Sequence, residues 1–190
     1  MSKITEDIRR EVLTRCEKSK QDMGFDIWDE HIKYVVENAI SLAKEYGADV
    51  EIVELGALLH DIAKPSKYGP AEEHHIYGAE IAEQLLTELN YPKDKIEQVK
   101  NCVLNHRGSV NRPKDTIEEQ CVADADVIAH FDCIPMLFSK AYGKLDLSIS
   151  DGKEWVRQKL ERDYNKLSER TRTKLQDRYN NIVNVLFIDK

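Results

Sequence analysis

Apolar residues return every three or four positions through most of this chain, a period that admits helices with one buried stripe and little else. The stripe runs through ITEDIRREVLTRC, HIKYVVENAISLAKEY and YGAEIAEQLLTEL, while strand-like alternation is found almost nowhere. At 190 residues and 41% hydrophobic content the chain can bury one substantial core. The prediction is therefore an all-α helical bundle, read as a single domain over residues 1–190. Helix stops are expected at Gly47, at Pro65, at the Asn90-Tyr91-Pro92 break and at Pro113, with Asp29, Asp49, Asp94 and Thr116 as N-caps. From about residue 152 to 190 the sequence reads as two further charged helices, ending in an apolar stripe of Ile182, Val185 and Leu186.

Composition excludes several classes of protein. No apolar run approaches the roughly 20 residues needed to cross a bilayer, and the opening MSKITEDIRR is charged instead of leading into a signal core. A soluble, cytoplasmic chain without a membrane partner is expected. The cysteines, Cys16, Cys102, Cys121 and Cys133, lie far apart with no C-x-x-C pair, which predicts reduced, mostly buried thiols. A formal net charge of −7 argues against a broad nucleic-acid footprint.

Chemistry concentrates in the histidines. His60 and Asp61 end the apolar run IVELGALLHDIAKP, so the packed face that positions this helix also carries a His and an Asp. An ionised carboxylate buried without a partner costs several kcal/mol, and a metal or a basic group is expected beside it. The plainer alternative is a helix-terminal His with an exposed Asp. Asp126 lies in CVADADVIAHF among apolar neighbours, with Asp124 two residues earlier and therefore on another face. His31 opens a helix. His106 ends KIEQVKNCVLNH, where a helix C-terminus also suits a structural imidazole. Of the His74-His75 pair, His74 shares a face with Gly78 four residues on and is the one expected to point inward. Residues 69–73 join two helical patterns and are expected to form a loop over the site. Trp28, Tyr34 and Tyr77 flank these positions and offer either stacking faces or packing.

The order His31, His60-Asp61, His74, His106, Asp126 resembles the HD superfamily of metal-dependent hydrolases, named for its central His-Asp pair, and the likeness spans residues 27–131. The small-residue lead Leu55-Gly56-Ala57-Leu58-Leu59, Lys64 three residues after Asp61, and the helix at 74–86 match as well. The tail KLSERTRTKLQDRYNNIVNVLF is similar to that of compact uncharacterised bacterial and archaeal HD hydrolases. The resemblance implies an HD-domain helical bundle with additional C-terminal helices. It also implies that His31, His60, Asp61 and Asp126 are the primary metal ligands. In two-metal relatives Asp61 bridges the ions and two further histidines, here matched by His74 and His106, join it; His75 stays open as the counterpart of His74.

A divalent ion in such a cradle would lower the pKa of a bound water and polarise a phosphoryl oxygen. The reaction implied is hydrolysis of a phosphate ester or pyrophosphate on a small molecule, with nucleotides as the favoured class. Lys64 and Arg107 would then carry phosphate charge, and Glu73, or its neighbour Glu72, would serve proton transfer. The Gly-Tyr-Pro extension of cyclic dinucleotide phosphodiesterases is missing, as is the glutamate-aspartate pair of enzymes acting on ppGpp. A mixed His/Asp set accepts manganese, iron, nickel, cobalt, zinc or magnesium, as one ion or two. Rival readings are a non-catalytic metal-binding or ligand-binding HD signalling module and a diiron oxygenase. The charged C-terminal helices offer a surface for a homodimer.

Overall fold

A computed structural model describes residues 2–107 and 114–187, which form helices joined by short turns, with no strand among the described residues. It divides into two compact units, Met1–Asp126 and Val127–Lys190. None of the described helices is long and apolar enough to cross a membrane.

The first unit begins with α1 (Lys3–Met23), capped by Ser2, whose Oγ accepts from the Thr5 amide, and closed by Gly24 in the left-handed region. A π-helical turn at Trp28–Ile32 leads into α2 (Lys33–Tyr46). The expected cap at Asp29 is displaced: Asp26 Oδ1 accepts from the amides of Trp28 and Asp29, which puts Asp29 inside the turn. The other early signals act as the sequence suggests. Gly47 ends α2 at φ 77°, and Asp49 accepts from the amides of Glu51 and Ile52 to start α3 (Val50–Leu59). All but the first residues of α3 are buried, including Ile52, Val53, Leu55, Ala57, Leu58 and Leu59 at zero exposure, so α3 is the central helix of this unit.

Pro65 does not stop a helix. It sits third in the short α4 (Ala63–Ser66), within the first turn, where a missing N–H costs nothing because first-turn amides have no intrahelical acceptor. Its effect falls upstream. The Asp61 carbonyl, which the amide of residue 65 would otherwise meet, accepts from Lys64 instead, and the chain breaks between α3 and α4 at His60 and Asp61. Lys67, at φ 51°, then closes α4, with the Tyr68 amide returning to the Ala63 carbonyl.

A single 3-10 turn (Ala71–Glu73) precedes α5 (His74–Glu88), and α6 (Lys93–Asn105) follows the break at Asn90, whose φ of 56° and the succeeding Pro92 reverse the chain. Pro92, not Asp94, holds the N-cap position, and Asp94 lies in the first turn, where a carboxylate still favours the helix dipole. Pro113 lies outside the described residues. Thr116 Oγ1 accepts from the Glu119 amide and starts α7 (Ile117–Asp132). Where α3 meets α6 and α7, Gly56 is nearest: a Cβ there would fall 2.7 Å from Cys102 Cβ and 3.2 Å from Val122 Cγ2. All four cysteines are buried, and none is in a disulfide.

In the second unit α8 (Ile134–Ser139) is followed by α9 (Ile149–Lys166) and α10 (Glu169–Leu186), both N-capped by serine. The stripe expected to close α10 is only partly covered, with Val185 74% exposed. Inside this unit Asp163 is 1% exposed and faces His130 Nδ1 at 3.0 Å, Lys166 Nζ at 3.2 Å and Lys159 Nζ.

Candidate metal centre

Helix ends deliver the histidines. His60 caps α3, His106 caps α6, and His74 is the first residue of α5. Terminal carbonyls lack intrahelical donors, and His60 and His106 each supply one to the end of their own helix, with Nδ1 2.7 Å from Ala57 O and 2.6 Å from Val103 O, while His74 Nδ1 lies 2.7 Å from Ala71 O in the turn that precedes α5. The carbonyl stands three residues earlier in every case. A ring whose Nδ1–H is committed to a carbonyl holds a lone pair on Nε2, the tautomer of a metal ligand with a supporting acceptor.

Those Nε2 atoms converge in two groups. In one, His31 Nε2 stands 3.2 Å from His60 Nε2 and 3.1 Å from Asp126 Oδ1. In the other, His74 Nε2 stands 3.3 Å from His106 Nε2 and 3.3 Å from Asp61 Oδ1. Asp61 divides its oxygens between the two, with Oδ2 at 3.6 Å from His31 and 3.5 Å from His60 while Oδ1 faces His74 and His106. Ligand atoms within each group lie close enough to hold one ion, His31 with His60 and Asp126, and Asp61 with His74 and His106.

This donor set fits a cation. Both Nδ1 protons of His74 and His106 are committed, so their facing Nε2 lone pairs repel at 3.3 Å unless a positive charge lies between them. Asp61 Oδ1 is buried without a hydrogen-bond partner, at a cost that a cation would remove. Electrostatics agree. Burial pushes the imidazoles of His60, His74 and His106 below the usual histidine range, to about 3 for His106, where His60 adds to the effect. Burial would raise the Asp61 carboxyl, but Lys64 and the histidines overcome it and hold the carboxylate well below its usual range. His60, His74 and His106 are thus kept neutral and Asp61 ionised, the forms that bind metal.

Each residue singled out from the sequence can now be located. His31, His60, Asp61, His74, His106 and Asp126 come together, although the first and last stand 95 positions apart in the chain. His75 is buried but belongs to neither group. Asp124 is buried and accepts from Gln120 Nε2, so the two carboxylates of α7 separate as their spacing requires. Lys64 Nζ is 2.5 Å from Asp61 Oδ2. Arg107 donates to the Glu72 carbonyl, tying the end of α6 to the segment at 69–73. Glu73 is exposed and lies by Tyr77, whose phenol it pushes upward.

Some contributors were not singled out. The three backbone carbonyls that orient the histidines are one kind; a His at a helix end, three residues after the carbonyl it can cap, was the available signal. The π-turn that carries His31 is another, as is the clamp beside it. Arg9 reaches from α1 to Glu54 of α3 at 2.9 Å and lies 5.5 Å from the Trp28 ring centre. Nothing local in the sequence marks a pairing 45 residues apart.

Residues 28–130 match the family model of the HD domain. Among curated relatives, an uncharacterised protein of Methanocaldococcus jannaschii is 34% identical over 145 residues, which cover 63% of this chain and 80% of that one. An uncharacterised protein of Clostridium beijerinckii is 31% identical over 100 residues, half of this chain, and the match spans 62% of its length. A tRNA (cytidine(56)-2'-O)-methyltransferase of Thermoplasma volcanium is 33% identical over 110 residues, 50% of this chain but only 30% of that protein. Two solved structures share the fold at a TM-score of 0.63 each. One, a predicted HD superfamily hydrolase from an uncultured Thermotogales bacterium, is 23% identical, with 96% of this chain and 87% of that one covered. The other, an HD-superfamily hydrolase from Bacillus thuringiensis, is 20% identical, with 93% and 91% covered.

Proposed function

This chain belongs to the HD domain family, and from that premise we propose that it is a phosphohydrolase with two divalent cations, cleaving a phosphate ester or pyrophosphate on a small molecule, with nucleotides the favoured class. The observation that carries the reading is the division of Asp61, one oxygen toward each histidine group. A carboxylate so placed suits a bridge between two ions.

His31, His60 and Asp126 would hold one ion and His74 and His106 the other, with Asp61 shared. Bound there, divalent cations supply an acidified water and Lewis-acid polarisation of a phosphoryl oxygen. The chain's own groups do the rest. Lys64, now paired with Asp61 and about a third exposed, can turn its ammonium toward substrate oxygens without leaving the carboxylate's field. Arg107 holds the strap at 69–73 through Glu72 and brings a guanidinium to the same edge. Backbone carbonyls fix the imidazoles before substrate arrives, so little reorganisation is left for the reaction step.

The test combines metal content with phosphate release. Purified protein should hold two ions per chain and release phosphate from members of a nucleotide and sugar-phosphate panel supplied with manganese, iron, nickel or cobalt. Asp61→Ala should lose both properties. Bound metal without turnover of any phosphate substrate would favour a binding module, and oxygen consumption with iron alone would favour an oxygenase.

A further inference from the structure

α5, whose first residue His74 is one of the candidate ligands, also forms part of a cavity of about 230 Å³ lined by Arg15, Ser66, Tyr68, Glu80, Ile81 and Gln84. That volume is below the roughly 300–1,000 Å³ of pockets that enclose a whole drug-sized ligand, so the cavity suits one planar moiety of a larger molecule. Its position links it to the centre. His74, Tyr77, Ile81 and Gln84 follow one another on one face of α5, and a rise of about 1.5 Å per residue places Ile81 roughly 10 Å along the helix from His74. On the opposite wall, Ser66 and Tyr68 come just after Lys64.

The lining is built to hold and read a flat ring. Tyr68 is 52% exposed, yet its ring is fixed edge-on against Tyr77 at 5.4 Å and 82°. Tyr77 in turn lies on Gly69, where a Cβ would come within 2.1 Å of the ring and where φ is 77°. Arg15 is also fixed: Nε donates to Glu11 at 2.8 Å and Nη1 to Ser66 Oγ at 2.9 Å, which leaves Nη2 without a partner among the described residues. Gln84 donates its Nε2 to Glu88 at 2.9 Å and keeps its carbonyl oxygen, while the Glu80 carboxylate makes no hydrogen bond to any described residue. One wall is thus an aromatic face. Around it stand a cationic donor and two acceptors, the set that distinguishes the donor and acceptor edges of a nucleobase.

We propose that this cavity takes the base of a nucleotide whose phosphate reaches the metal centre, with Tyr68 as the stacking face and Arg15, Glu80 and Gln84 reading the base edge. The assignment rests on the phosphohydrolase reading and narrows its substrate to nucleotides. Aromatic stacking on a base is a substantial part of such affinity, and its loss should weaken binding about 10-fold or more.

Nucleosides separate this claim from catalysis, since they carry the base without the phosphate. Titration of the full chain with adenosine, guanosine, cytidine and uridine, followed by amide chemical shifts, should move Ser66, Tyr68 and the amides from Glu80 to Gln84 with at least one of them. Tyr68→Ala, at an exposed position, should weaken that response about 10-fold or more, and Glu80→Gln should change the ranking among bases. No response to any nucleoside, or one that maps elsewhere and survives Tyr68→Ala, overturns the proposal. Phosphate release from ribose 5-phosphate without nucleoside binding would overturn the base site alone and leave the hydrolase reading standing. Nucleoside binding that obeys the variants, with no phosphate substrate turned over, would support the base site and overturn the hydrolase reading.

Discussion

At Asp61 burial and charge conflict most sharply. The residue is 1% exposed, yet four imidazoles and the Lys64 ammonium face its oxygens and keep it ionised. A carboxylate held this way organises both ligand groups, so the variants around it should separate by group. His74→Ala and His106→Ala each remove one ligand from the Asp61 side, and each should lower the metal count by one ion per chain, measured by plasma mass spectrometry, while His31, His60 and Asp126 keep theirs. His75→Ala should leave the count unchanged. Lys64→Met removes charge but no ligand; it should preserve metal content and lower kcat about 10-fold or more, as loss of electrostatic stabilisation does. Loss of both ions in His74→Ala would sink the division into two groups.

Among the elements, α3 sets the tightest tolerance. Its Gly56 backs onto Cys102 of α6, and a Cβ there would meet Cys102 Cβ itself, an atom that no rotamer change can move. Gly78 of α5 is less constrained, because its nearest neighbour is the Val103 Cγ1 methyl at 3.1 Å. Alanine gains about 1 kcal/mol over glycine inside a helix, while overpacking a core costs about 1–3 kcal/mol. Gly56→Ala should therefore destabilise by about 1 kcal/mol or more, and Gly78→Ala should be near neutral, a ranking that urea denaturation of the two variants would check. Equal stability would show that α3 and α6 can part more easily than their spacing suggests. Helix periods made α3, α5 and α6 legible from sequence, and so did local boundary signals: Gly47, Asp49, Asn90 and Thr116 act through neighbours within a few positions. Signals failed where a nearby competitor won. Asp26 captured the amides expected for Asp29, Pro92 took the cap position expected for Asp94, and Pro65 fell in a first turn where its missing N–H is tolerated. At the site, the ligand types were legible because histidines and carboxylates within apolar helices are costly unless used. The split of Asp61 between two groups came only through the family resemblance, because it depends on how α3, α5, α6 and α7 approach one another and no local pattern encodes that.

The two compact units should answer to different chemistry across the whole molecule. Metal binding acts on Met1–Asp126, which holds every ligand. An ion present at 100 times its Kd adds about 2.7 kcal/mol, and for a chain of this length 1 kcal/mol moves Tm by roughly 2–4 °C. Chelation should lower the transition of this unit by about 5–10 °C. Acid should act on Val127–Lys190 through Asp163. Burial alone would raise that carboxyl, but the hydrogen bond and charge of His130 and the charge of Lys159 outweigh it and hold it well below the ordinary range. A carboxyl depressed in the folded state contributes its full stability above the unfolded value, near 4, and loses it as pH falls toward the folded value. Amide exchange along α9 should accordingly slow little between pH 5 and 7, once corrected for intrinsic rates, and quicken below about pH 4. Asp163→Asn leaves His130 and Lys159 without their counter-charge and should cost about 3–5 kcal/mol at neutral pH. It should also remove most of the acid sensitivity of α9. If the variant kept the wild-type acid response, the loss would belong to other carboxylates and the buried Asp163 would be structurally idle.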